Sequence, residues 1–119
     1  MLNFICHPSF EKEFSKLKKR YQLNKGMESF QRLCEFQFHP INPQQVIAPA
    51  KLHRVTQNSL WSIWKVELVV PGIKPNQFPR MWFSVKGSTI VFLCIVSHID
   101  NYKDNQINQE AVTRVTDIF

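Results

Sequence analysis

Glycine is scarce in this chain, with only Gly26, Gly72 and Gly87 among 119 residues. A phosphate-cradling loop needs clustered glycines so that backbone N–H groups can approach the ligand, so nucleotide hydrolysis is disfavoured. Cysteine is equally sparse, and Cys6, Cys34 and Cys94 are odd in number and far apart. That pattern speaks against a disulfide framework and for a reducing cytosol. No apolar run approaches the ~18–20 residues of a membrane span, and the opening MLNFICHPSFEKEF lacks the basic region and long apolar stretch of a signal peptide. A soluble cytoplasmic protein is expected. There is no repeat, no low-complexity tract, no linker and no nucleophile with a local triad signature, so residues 1–119 read as one domain. Acidic residues are the last shortage: nine Asp and Glu face fifteen Lys and Arg, a net charge of +6 that favours a polyanionic partner. Ten Phe, in a chain that is 44% hydrophobic, exclude disorder.

Residues 3–6 are a candidate first strand. Residues 7–21, HPSFEKEFSKLKKRY, read as a helix. Pro8 suits the first turn, Glu11 and Glu13 lie near the positive end, and the KLKKR run lies at the negative end. Phe10, Phe14, Leu17 and Tyr21 share one core-facing stripe. A second helix starts near Asn24 as its N-cap and carries Met27, Phe30, Leu33 and Cys34 inward to about Phe36. The short link over residues 22–24 makes the two an antiparallel hairpin. Residues 37–50, with Pro40, Pro43 and Pro49, form an irregular connection. From Lys51 the period changes to two. Strands over 51–57, 60–70, 79–85 and 89–97 are separated by turn chemistries that predict an antiparallel meander. Ile107, Ala111, Val115 and Ile118 then mark a closing helix. A strand, a two-helix hairpin, about four meandering strands and a C-terminal helix make an α+β fold.

Alternation in the strand over 60–70 puts Leu60, Trp64, Val66, Leu68 and Val70 on the core face and leaves Lys65 and Glu67 on the other. In the next strand Met81, Phe83 and Val85 face the core, so Arg80, Trp82 and Ser84 share the open face with Lys65. His98 closes the last strand where its side chain overhangs that surface. Cations gathered on one sheet face suit a phosphate, and an exposed Trp82 beside Arg80 suits RNA. The plainer alternatives are a solvated Lys–Glu pair and a structural histidine. His53 either joins this surface from the neighbouring strand or sits half-buried at the edge. Lys12, Lys16, Lys18, Lys19 and Arg20 give the first helix a basic face, solvated or in contact with RNA, and Lys103 joins them as an RNA-contact candidate. No metal or cofactor is expected. Cys94 and His98 lie ~13 Å apart if the strand runs through both, too far for one zinc ion, and Cys34 with His39 is a weak pair.

The order of elements, the HPSFEKEFSKLKKRY start and the sheet signatures WKVE, FPRMWF and HIDNY together resemble the RelE/ParE superfamily of toxins from bacterial toxin–antitoxin pairs. The resemblance covers nearly the whole chain. It implies a RelE-like fold and one of two activities: metal-independent cleavage of mRNA in the ribosomal A site, as in RelE-like members, or action on DNA gyrase, as in ParE-like ones. It also implies a cognate antitoxin as partner. Lys65 matches the family Lys in an aromatic-Lys-aliphatic strand motif, and Arg80 matches the Arg that opens the following strand. His98 and Tyr102 fall where such toxins place a His, Arg or Tyr. Glu67 departs from the RelE pattern, which favours a second Lys, and residues 71–79 make a longer turn than many members have.

Metal-free RNA cleavage needs a base for the 2′-hydroxyl proton, cations for the charge building on the phosphoryl oxygens, and an acid for the departing 5′-oxygen. Arg80 is the bidentate phosphate ligand, Lys65 adds a point charge, and His98 is the proton carrier. Glu67 is a base or an orienting group for His98, and Tyr102 stacks on a base or donates a proton. The expected function is a toxin that cleaves mRNA on the ribosome. The alternative is a non-nuclease protein of the same fold, directed at gyrase or serving mainly to bind its antitoxin.

Overall fold

The chain begins with β1 (Asn3–Cys6), after which His7 starts α1 (Pro8–Leu17). The His7 imidazole accepts the Ser9 N–H through Nδ1 at 3.0 Å, so Nε2 carries the proton and donates to Asp117, also at 3.0 Å. The computed structural model describes all 119 residues. Its remaining α-helices and strands are α2 (Leu23–Gln37), β2 (Leu52–Gln57), β3 (Ser62–Glu67), β4 (Arg80–Lys86), β5 (Thr89–Val96) and α3 (Asp104–Ile118), with single 3-10 turns at Pro49–Lys51 and Pro75–Gln77. The strands form one sheet in the order β1-β5-β4-β3-β2, with β2 to β5 an antiparallel meander and β1 parallel to β5 at the edge. This is the α+β arrangement the periodicities predict.

Several boundaries differ for local reasons. Helix α1 stops at Leu17 because the N–H groups of Arg20 and Tyr21 both turn back to the Leu17 carbonyl. Helix α2 begins at Leu23, not after Asn24, anchored by Leu23 itself, which is buried. It carries Met27, Phe30 and Cys34 inward, but Leu33 is exposed. Gly26 lets α2 approach the segment just after β3 closely, since a Cβ there would strike the Val69 carbonyl oxygen. Leu60 is exposed, because the Asn58 side chain accepts the N–H groups of Leu60 and Trp61, both at 2.8 Å, and this turn delays the strand to Ser62.

Helices α1 and α2 cover one sheet face around an aromatic core. Phe30 meets Phe83 edge-on at 5.2 Å, and Phe10 stacks on Phe92 at 5.6 Å. The opposite face, expected to be open, is covered by α3. Its Ala111 and Val115 pack on Ile63, Trp82, Val91 and Leu93 in a smaller core. A register shift between Trp82 and Phe83 in the β4–β5 ladder serves both faces, pairing Phe83 with Phe92 on one and Trp82 with Cys94 on the other. Trp82 is therefore fully buried, its indole N–H donating to Asn108 at 2.8 Å, and the expectation that it stacks on RNA is overturned. The apolar stripe of α3 needs a surface to bury, and this sheet face supplies it.

Arg114 joins the two helical layers. It donates to both carboxylate oxygens of Glu13 in α1, at 2.8 and 2.9 Å, to Glu110 at 3.1 Å and to the Leu93 carbonyl at 2.6 Å. Burial opposes its charge, but the hydrogen bonds to Glu13 and Glu110 outweigh that cost and hold the guanidinium more firmly protonated than usual. No helix is long and apolar enough to cross a membrane.

Candidate functional site

Strand register assembles the site. Lys65 lies opposite His53 of β2 and Trp82 of β4, and Glu67 lies opposite Arg80. All of these positions fall near one end of the meander, at the margin of the surface that α3 covers. Asp104, in the first turn of α3, reaches both cations: Lys65 Nζ donates to Oδ2 at 2.8 Å and Arg80 to Oδ1 at 3.4 Å. The Lys65 hydrogen bond, with the charges of Lys65 and Arg80, holds the Asp104 carboxyl below the usual carboxylate range against a smaller opposing effect of burial. The position at a helix N-terminus favours the same charge. Asp104, rather than Glu67, is thus the carboxylate that pairs with both cations.

Two openings meet at this cluster. One, about 300 Å³, is lined by Lys51, His53, Lys65, Glu67, Arg80 and Asp104. The other, about 470 Å³, shares Glu67, Arg80 and Asp104 and is extended by His98 and Tyr102. The structure therefore brings Lys65, Arg80, Glu67, His98, Tyr102 and His53 around one ridge. His98 is exposed and lies just beyond β5 in a turn tied by Asp100, which accepts the Ser97 N–H at 2.9 Å. Tyr102 rests edge-on against Trp82 at 6.3 Å. Burial raises the Tyr102 phenol above its ordinary value, with nearby Arg80 opposing, so it stays protonated as a donor and is a poor proton acceptor.

Other candidates lie elsewhere. Lys12, Lys16, Lys18, Lys19 and Arg20 are exposed on or just after α1, in the layer on the far side of the sheet from Lys65. Lys18 lies over the Phe14 ring at 5.9 Å. Lys103 is exposed at the start of α3, next to Asp104 in the chain. Cys94 is buried beside Arg114, and burial pushes its thiol up to about 12, as it does that of Cys34, so neither is a reactive thiolate.

Sequence reasoning missed Asp104, Lys51 and Arg114. An acid in a first helical turn was a readable signal for Asp104, but its partners depend on where α3 docks. Arg114 sits three residues from Ala111, beside the apolar stripe, and a charge at such a position was a sign that it finds a buried partner. No protein-family model, curated protein or solved structure matches the chain. Its functional reading rests on this site and on the residue pattern.

Proposed function

We propose that this protein is a RelE-like toxin, a metal-independent endoribonuclease that cleaves mRNA on the ribosome in the cytoplasm and is silenced by a cognate antitoxin protein. The observation that carries the reading is the convergence of Lys65 and Arg80 on the two oxygens of one carboxylate. Two cations already aimed at a pair of anionic oxygens suit two phosphoryl oxygens equally well. In the reaction, Glu67 takes the 2′-hydroxyl proton and the 2′-oxygen attacks the adjacent phosphorus. Arg80 and Lys65 hold the growing negative charge, and His98 acts as the acid that gives a proton to the departing 5′-oxygen. A 2′,3′-cyclic phosphate and a 5′-hydroxyl result. Tyr102 positions the RNA as a hydrogen-bond donor.

A specific observation favours a second reading, a non-nuclease protein of this fold acting on gyrase or mainly as an antitoxin partner. Asp104 already occupies Lys65 and Arg80, and Glu67 adds a second carboxylate beside them, leaving Lys51 as the excess cation of that opening. RNA must displace Asp104 or bind beside it. Inducing the protein in bacteria and mapping new mRNA 5′ ends separates the two: fresh ends within translated codons support the nuclease, and growth arrest with intact mRNA overturns it. An acidic antitoxin segment suits the remaining positive charge, and its association should slow steeply as salt rises.

A further inference from the structure

The larger of the two openings is unlike its neighbour. Besides the shared ridge and His98, its walls are Asn76 and Phe78 from the long turn over residues 71–79, and Asp100, Asn101 and Tyr102 from the segment before α3. Both aromatic rings are braced from behind. Phe78 packs against the aromatic core under α1 and α2, and Tyr102 against Trp82. The turn itself is tightened by Gln77 and Phe78 N–H groups returning to the Lys74 and Pro75 carbonyls at 2.9 and 3.2 Å.

Charge divides the labour between the openings. The smaller one sets Lys51, Lys65 and Arg80 against Glu67 and Asp104, an excess of cations that suits phosphates. The larger one sets three carboxylates, Glu67, Asp100 and Asp104, against Arg80 as its one Lys or Arg. A second phosphate is repelled there, whereas a neutral aromatic ring with hydrogen-bonding edges is not. We infer that this opening takes one unstacked nucleobase of single-stranded RNA, stacked on Phe78 and read along its edge by the carboxamides of Asn76 and Asn101. The inference rests on the RNA reading above and deepens it: the nucleotide whose phosphate sits at Lys65 and Arg80 has its base held by the 71–79 turn. Braced rings lose little freedom on stacking, and carboxamides offer both a donor and an acceptor.

The test is calorimetric binding of the full chain to a 2′-O-methyl trinucleotide carrying adenine throughout, and to its three versions with one base removed. The 2′-O-methyl groups block cleavage. In the wild-type protein, loss of one particular base should weaken binding roughly 10-fold, the effect of one stacked base. Phe78→Leu, which keeps an apolar anchor in the core, should weaken the intact trinucleotide by about the same factor and leave the version lacking that base unchanged. Asn76→Ala, at an exposed side chain, should cost several-fold in the same selective way. If both variants bind the intact and abasic molecules with the wild-type ratio, the pocket assignment is overturned. Lys65→Ala should instead weaken all four ligands alike. Binding that depends on neither Lys65 nor any base overturns the RNA reading as well, and base-selective binding without ribosomal cleavage keeps the pocket while removing the nuclease.

Discussion

The two faces of the sheet divide the work of the molecule unequally. The face under α1 and α2 buries a cluster of 17 residues, much of it interlocking phenylalanine, while the face under α3 buries seven. The smaller face also carries the polar irregularities: the buried Ser84 hydroxyl without a hydrogen-bond partner, the Arg114 clamp at one end and the Lys65–Asp104–Arg80 cluster at the other. One face supplies stability by apolar burial. The other buries a smaller apolar cluster and carries its charged groups at the margins, where solvent reaches them and ligands can exchange.

The sharpest break between the faces should come from His98, at the margin of the smaller one. His98→Gln keeps polarity and approximate size but cannot carry a proton at neutral pH. Cleavage on programmed ribosomes should fall roughly 10²–10⁴-fold in single turnover, with ribosome binding little changed. A variant that cleaves at the wild-type rate would make His98 structural and move the proton to Glu67 or Tyr102.

On the larger face, Phe83→Ala should cost about 3–5 kcal/mol in a denaturant titration, because the ring meets both Phe30 and Phe38 and leaves a cavity. A cost below about 1 kcal/mol would mean that the faces do not differ in the way their cores suggest.

Arg80→Ala should slow cleavage by roughly 10²–10³-fold while the melting temperature stays near that of the wild type. Arg80→Lys should recover only part of the rate, since a point charge does not reproduce the bidentate fork. Full toxicity of Arg80→Ala at matched expression would remove it from the site.

The smallest effect concerns Asp104. Its carboxyl is held low in the folded chain, so its stabilising contribution is complete above the unfolded value of ~3.9 and is lost as pH falls through the lower folded value. The side chain is 41% exposed, so solvent screening reduces that contribution to at most about 1 kcal/mol. Asp104→Asn should therefore be slightly less stable than wild type at neutral pH and equal to it in strong acid. It should also bind inorganic phosphate more tightly, because both cations are released. Weaker phosphate binding in Asp104→Asn would show that the carboxylate orders the cations for a ligand instead of competing with one.

The helix and strand periods were legible because each element buries a stripe or alternate face that its own residues define. Phe10 and Leu17 in α1, or Met81 and Phe83 in β4, point inward as their spacing demands. Trp82 was misread for an instructive reason: alternation tells which residues share a face, not whether a distant helix will cover that face. The grouping of Lys65, Arg80 and Glu67 followed from strand alternation and order. Their pairing with Asp104 did not, because Lys65 and Asp104 are 39 residues apart and meet only through the docking of α3.

Composition and spacing by themselves determined the α+β class, the meander, a basic and phenylalanine-rich chain, and the sheet positions of the candidate cations. These are local properties, set by side-chain period and turn chemistry within each segment. Only the tertiary structure decided that α3 closes the second face, that Trp82 is core, that Asp104 occupies the two cations, and that the 71–79 turn faces Tyr102 across an opening. Each of those depends on contacts between segments far apart in the chain, whose geometry is fixed by packing rather than by any residue's own preference.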